Sequence, residues 1–261
     1  MARSAYRRFV YAVDLHLGYE RRAGHKIPLH DPKAWGAFLS FCQHFQPDAV
    51  ILGGDMLDCG AVSHHNRKKH RQTEGLRILA DASELNRECL APLKALDAQR
   101  YVYIPGNHED WLEDLMEEDP ALDGLLSLQN LLDLEGWEIP AFDSDKVIHE
   151  GKIHFIHGHQ VKGGEAVAKN AVIAYERNIR FGHHHTYQVF TKNSALDARH
   201  PKTGIAVPCL CSRGPKYGEG SPNKWVQGFN FGEVDPGGNF TDFVAIVNEG
   251  KTVWNGKTFK G

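Results

Sequence analysis

Ten consecutive residues, Ala49-Val-Ile-Leu-Gly-Gly-Asp-Met-Leu-Asp58, constrain the fold of this chain more than any other stretch. The first four are apolar and rich in β-branched side chains, and Gly53 and Gly54 stop them. That pattern predicts a buried strand running into a tight turn. Two carboxylates, Asp55 and Asp58, follow where the strand ends. The glycine pair strips side chains from the turn, so something bulky or charged can approach it. Taken alone, the stretch fits a strand-turn with a capping aspartate equally well.

The flanking sequence places this strand in an α/β arrangement. Residues 9–13 are a first strand ending in Asp14-Leu15-His16-Leu17-Gly18. Asp31-Pro32 is a helix start, an N-cap with proline at the first helical position. Trp35, Phe38, Leu39, Cys42 and Phe45 then recur at helical spacing until Pro47. A core-facing helix between two strands is a βαβ unit with a right-handed crossover. Residues 101–104 form a third strand running into Pro105-Gly-Asn-His-Glu-Asp110, with a helix over 111–118 whose positive end suits an anion.

Between these strands, residues 72–90 carry helical apolar spacing, and Pro92 starts a short helix through residue 96. Residues 122–134 are leucine-rich and are expected to cover the sheet. Residues 147–148 and 153–156 form a hairpin ending in His157-Gly158-His159. A helix follows Gly163-Gly164, and a short strand at 179–181 ends in Gly182-His183-His184-His185. Segments 205–210, 225–234, 240–247 and 252–254 alternate as antiparallel strands. With 261 residues and no linker, the expectation is one domain over 1–261. It has a helical insertion at about 61–99 and a β-rich part at about 205–256.

Net charge is −3, so no global basic field marks a nucleic-acid binder. No apolar run reaches bilayer length, and the apolar stretch after the arginine-rich start is too short for a signal sequence. No membrane partner is expected. Five irregularly spaced cysteines argue for reduced thiols and a cytoplasmic location. Cys209 and Cys211 would share a strand face, where core packing is the plainer reading than metal binding.

Histidine is the outlier, with 16 residues. Five strand ends carry Asp, Asn or His: Asp14 and His16; Asp55 and Asp58; Asn107 and His108; His157; His183 and His185. Each signal alone is weak. Sites in α/β sheets assemble at such ends, and these supply about eight oxygen or nitrogen ligands. That is enough for two metals sharing one bridging carboxylate, which would be Asp55.

The ordered motifs Asp14-Leu15-His16, Gly54-Asp55-Met56-Leu57-Asp58, Gly106-Asn107-His108-Glu109, His157-Gly158-His159 and Gly182-His183-His184-His185 resemble the calcineurin-like metallophosphoesterases. They span residues 14–185, about two thirds of the chain. The resemblance implies a four-layer α/β/β/α sandwich with mixed sheets. It makes Asp14, His16, Asp55 and His185 ligands of one metal, and Asp55, Asn107, His157 and His183 ligands of the second. His108 corresponds to the family's general acid and Asp58 to its orienting partner.

Two divalent cations about 3.5–4 Å apart lower the pKa of a shared water and clamp phosphate oxygens. The expected cofactors are therefore two divalent ions, manganese first, with iron, zinc, cobalt and nickel also suiting mixed N/O ligands. The expected reaction is phosphodiester hydrolysis by a metal-bridging hydroxide with His108 as acid. A DNA or RNA nuclease and a phosphomonoesterase on nucleotides or sugar phosphates are the alternatives. A non-catalytic scaffold conflicts with the intact Asn107-His108 pair. Protein phosphatases of this superfamily follow the second aspartate with Arg-Gly, whereas Asp58 is followed by Cys59-Gly60, a departure shared with bacterial and phage branches. The basic stretch 61–71, with Arg67 and Arg71, reads either as a solvated face or as a cationic lip for substrate. His159 is a further substrate-contact candidate, and His184 is expected to be exposed. The partner is a phosphoester, small diester or nucleic acid. A homodimer is compatible with the sequence.

Overall fold

The computed structural model describes residues 6–66, 68–142, 147–214 and 223–261. In chain order its strands begin with β1 (Arg7–Ala12), β2 (Tyr19–Arg22), β3 (His25–Pro28), β4 (Ala49–Leu52) and β5 (Arg100–Tyr103). Then come β6 (Ile148–Glu150), β7 (Ile153–Ile156), β8 (Asn178–Phe181), β9 (Gln188–Ser194) and β10 (Asp197–Ala206). Last are β11 (Gly228–Val234), β12 (Phe240–Ile246), β13 (Lys251–Trp254) and β14 (Lys257–Lys260). The helices used below are α1 (Pro32–Phe45), α2 (His70–Thr73), α3 (Ile78–Leu85), α4 (Ala91–Lys94), α5 (Asn107–Glu118), α6 (Leu128–Leu131) and α7 (Val167–Tyr175).

Two mixed five-stranded sheets face each other, ordered β12-β11-β1-β4-β5 and β6-β7-β8-β10-β9. In the first, β1, β4 and β5 are parallel, with β11 antiparallel to β1. In the second, β7, β8 and β10 are parallel, with antiparallel β6 and β9 at the edges.

The two-residue period of β1 sorts its side chains between two cores. Phe9, Tyr11 and Val13 point between the sheets, against Phe155, Ile153 and Ile205. Val10 and Ala12 point outward to the layer that holds Phe38, Phe41 and Leu134. On the far side of the second sheet, Ala171 and Val167 of α7 pack on Ile179 and Phe181. Helix, sheet, sheet and helix thus form four layers. Each fully buried aromatic stabilises by about 1.5–3 kcal/mol.

Polar ties pin one sheet to the other. The Tyr11 hydroxyl donates to the Ile156 carbonyl at 2.7 Å. Buried Arg180 of β8 makes a bidentate pair with Asp242 of β12, at 2.6 and 2.8 Å. Removing one member of such a pair strands a buried charge, costing about 3–5 kcal/mol.

Several elements depart from the expected ones. The 72–90 helix is broken: α2 ends at Thr73, two residues before Gly75 with its φ of +74°, and α3 runs through a π-helical turn at Asn86–Leu90 into α4. Helix α5 begins at Asn107 instead of 111, so the Asn-His pair forms its first turn. Strand β10 spans Asp197–Ala206, earlier than the expected 205–210, because it pairs with β9 as a long polar hairpin. A second hairpin, β2–β3, lies where no strand was expected. Among the described residues no helix is long and apolar enough to cross a membrane. All five cysteines are buried and free.

Candidate metal centre

Every motif sits just beyond a strand that these layers aim at one end of the sandwich. Asp14 and His16 follow β1, Asp55 and Asp58 follow β4, and Asn107 and His108 follow β5. His157 follows β7, and His183 and His185 follow β8. The glycines permit this crowding. A Cβ on Gly54, where φ is +94°, would lie 2.6 Å from His157 Nδ1. One on Gly106 would lie 2.2 Å from the Asp55 carboxylate. Asp14, His16, Asp55, His183 and His185 themselves occupy the left-handed region, with φ between 50° and 67°. Such backbone costs on the order of 1 kcal/mol or more per residue and clusters at functional sites.

Three groups of side chains each bring ligand atoms within 4.8 Å of one another: Asp14, His16 and His185; His16, Asp55 and His108; Asp55, His157 and His183. Asp55 Oδ2 lies 3.8 Å from His16 Nε2 and 3.4 Å from His157 Nε2. The Asn107 amide oxygen is 3.0 Å from His157 Nε2. All seven side chains expected to hold metal are therefore gathered around Asp55. A cavity of about 170 Å³ opens on them, lined by His16, Asp55, His108, His183, His185 and Trp225.

The donor set fits divalent cations. Nε2 of His16 and Nε2 of His185 face each other at 3.2 Å. His157 Nδ1 meets the Gly53 carbonyl at 2.9 Å, which can only accept, so Nε2 is the nitrogen that faces the cavity and would give up its proton to a cation. Asp14 Oδ1 is buried and has no hydrogen-bond partner. Lone pairs and an orphaned carboxylate oxygen converging in one buried space repel without a cation. Ligand atoms about 2.0–2.2 Å from a tetrahedral metal lie about 3.4 Å apart, close to the spacings seen here.

Charge in the cluster is strongly coupled. Burial opposes ionisation of Asp55, yet His157, His108 and His16 hold its carboxyl well below the usual range. Burial likewise disfavours charge on His108 and His157, but Asp55, with Asp58 and Asp14, outweighs it. The imidazoles rise to about 10 and about 9 respectively. His183 goes the other way, to about 4, through burial and the neighbouring His157, and so offers a neutral donor.

His108 Nδ1 meets the Asp58 carbonyl at 2.7 Å and its carboxylate at 3.4 Å, while the same carboxylate is 3.2 Å from His16 Nδ1. Asp58 thus braces both rings. His108 Nε2 faces Asp55 Oδ2 at 3.9 Å.

His159 stacks on Phe142, with centroids 4.6 Å apart, beside His157. His184 is half-buried against Phe181, not exposed. Arg71 lies on α2 in a separate basic groove, and Arg67 lies outside the described residues.

Three neighbours of the site were given no role there by the sequence reading, which took Cys211 for core packing. Glu109 accepts hydrogen bonds from the backbone N–H groups of Asp55, Met56, Leu57 and Gly106 and from Tyr103, at 2.7–2.9 Å. It sits inside the Gly106–Glu109 motif, where an acid in the first helical turn is its only signal. Trp225 packs edge-on to His185 at 4.2 Å, 40 positions away in the chain and in no motif. Cys211 Sγ is 3.8 Å from His185 Nδ1, and with Cys209 the three form a further buried group able to hold a metal.

The chain is 32% identical over 162 residues to the Gene 54 protein of Mycobacterium phage L5, covering 60% of this chain and 62% of that protein. It is 29% identical over 162 residues to the Gene 54 protein of Mycobacterium phage D29, with the same coverage. The chain therefore spans about three fifths of the length of these relatives. Among solved structures, a dimetal phosphatase from Danio rerio aligns with a TM-score of 0.40 and 10% identity, covering 91% of this chain and 98% of that one. The NAD nucleotidase of Haemophilus influenzae aligns with 0.38 and 12%, covering 98% and 53%. The model described as calcineurin-like phosphoesterase matches residues 8–220, most of the chain and every motif at the cavity. The chain belongs to the calcineurin-like phosphoesterase family.

Proposed function

We propose that this chain is a metal-dependent hydrolase of phosphodiesters, with two divalent ions held on either side of Asp55. The observation that carries the reading is that one carboxylate, Asp55, groups with His157 and His183 on one side and with His16 on the other, and His16 in turn groups with Asp14 and His185. Asp14, His16 and His185 complete one set, and Asn107, His157 and His183 the other. When bound, two such ions supply Lewis-acid activation of water and of the phosphoryl oxygens.

The protein's own groups do the rest. Asn107 adds an oxygen donor without adding negative charge that would repel a phosphate. His108 Nδ1–H is fixed by the Asp58 carbonyl, which leaves Nε2 aimed at the cavity. From there it gives a proton to the departing oxygen. The fit of a diester rests on space: His108 borders the 170 Å³ cavity on one side and a 420 Å³ pocket on the other, room for two substituents on one phosphate.

The test is a reconstitution panel. Apo-protein loaded with Mn, Fe, Zn, Co or Ni is offered bis-p-nitrophenyl phosphate, p-nitrophenyl phosphate, DNA and RNA. Manganese is expected to support turnover, with higher kcat/KM on the diester at neutral pH. Hydrolysis of the monoester alone would refute the diester reading, and no hydrolysis with any metal would refute the activity.

A further inference from the structure

His108 is common to two cavities, and the second one contains none of the metal-binding side chains. An acid delivers its proton to the leaving oxygen, so the leaving group lies on the acid's side. That side is the 420 Å³ pocket between the β2–β3 hairpin and α2. Its volume is in the range of sites for a small ligand.

The walls are chemically distinct. Trp111 packs on His108, centroids 4.0 Å apart, and His65 meets its ring edge-on at 5.6 Å. Leu29 and Leu76 form an apolar floor. Asn66, Gln72 and Glu20 place amide and carboxylate groups around it. A flat ring with hydrogen-bonding edges suits such a lining.

Beyond Lys69 and Gln72, which line both, the pocket continues into a basic groove of about 610 Å³. Arg21, Lys68, His70 and Arg71 border it, with Glu74 the single acid. Arg21 donates to the Glu74 and Gly24 carbonyls, and Lys69 to the Asn66 amide oxygen. Among the described residues Lys68, Lys69 and Arg71 form no ion pair, so the groove keeps its positive field. A pocket for a ring that opens onto cations selects a ring carrying a phosphate.

We infer that the pocket beside His108 is a leaving-group subsite for a nucleoside whose further phosphate lies in the Lys68–Arg71 groove. The inference rests on the proposed diester activity for its chemistry, but not for binding. A free dinucleotide and an internal position of a strand present the same unit.

Binding is tested on metal-reconstituted protein with inorganic phosphate saturating the metal side. A nucleoside monophosphate should bind at least tenfold more tightly than ribose 5-phosphate, and at least tenfold more tightly than the nucleoside. Thr73→Trp, which fills the pocket from α2, should abolish the first advantage. Lys68→Ala with Arg71→Ala, both confined to the groove, should abolish the second while leaving nucleoside binding unchanged. Equal binding of nucleotide and sugar phosphate would overturn the subsite, and so would indifference to both variants.

Turnover supplies the second readout. An abasic residue on the leaving side of a dinucleotide should lower kcat/KM at least tenfold more than one on the retained side; the reverse order overturns the assignment. Rates that climb with oligonucleotide length and fall steeply with salt identify a strand, and flat rates a dinucleotide. If nucleotides bind as described but bis-p-nitrophenyl phosphate is never cleaved, the diester activity falls and the subsite stands.

Discussion

Glu109 Oε2 accepts the amide hydrogen of Asp55 at 2.9 Å, and Asp55 Oδ1 in turn accepts that of His108 at 2.9 Å. Two acids from different elements therefore hold each other's turn in place, one touching the cavity and the other fully behind it. Glu109→Gln keeps the shape but turns one acceptor into a donor facing two N–H groups. It should destabilise the protein by about 2–5 kcal/mol, the range for two buried donors left unpaired. Chemical denaturation measures it; an effect below about 1 kcal/mol would show that the turn holds without Glu109.

Asp55→Asn should release at least one of two metals. Asp55 is the carboxylate proposed to be shared, so neutralising it should weaken the attraction for both ions. Elemental analysis of the variant decides, with unchanged stoichiometry counting against the shared-ligand assignment.

His108→Ala should retain its metals and lose turnover by roughly 10²–10⁴-fold, the usual range for general acid catalysis. The loss should shrink on esters with good leaving groups, which depart unprotonated. Equal losses on poor and good leaving groups would mean that His108 instead stabilises charge on the phosphoryl group.

The metal-free protein should lose stability as pH rises. His108 and His157 have folded-state pKa values of about 10 and about 9 against an ordinary 6.5. Their contribution is full below pH 6.5 and disappears as pH climbs through those values. Metal binding needs the His157 imidazole neutral, so the gain in Tm on adding metal should grow as pH climbs toward about 9. Thermal scans with and without chelator between pH 6.5 and 10 test both statements. A metal-free Tm that is flat across the window would contradict them.

The position after the second motif aspartate has no room for the arginine that protein phosphatases of this superfamily carry there. Cys59 is buried in the outer core, with φ at +52°. An arginine there would have to be accommodated inside the buried cluster to which Cys59 belongs. Cys59→Arg should unfold the protein instead of restoring monoester binding, read as loss of the cooperative thermal transition.

Much of this was legible in the sequence because it is local. Strand, glycine and ligand are contiguous in each motif, so Asp14, Asp55, His157 and His185 could be placed at strand ends from apolar runs alone. Helix α1 announced itself through Asp31-Pro32, and Asp31 indeed accepts from the Lys33 and Ala34 amides. The remainder depends on non-local pairing. Tyr19–Arg22 and His25–Pro28 show no apolar alternation, since both strands of that hairpin are partly exposed. Trp225 and Cys211 lie between β10 and β11 and approach His185 through non-local pairing, the Val226 amide donating to the His185 carbonyl at 2.9 Å. Glu109 was inside a recognised motif, yet its task is set by three amides some 50 residues upstream.

Five residues at the cavity hold their backbone in the left-handed region before any ion is considered. A turn that is bent during folding does not have to be ordered again on metal uptake. Backbone of this kind persists only where the surrounding structure over-determines it, so these turns are expected to lose little further conformational entropy on metal uptake. Amide hydrogen exchange at residues 14–16, 54–55 and 183–185 should accordingly be nearly the same with and without metal. An ion that leaves would find the same geometry on its return.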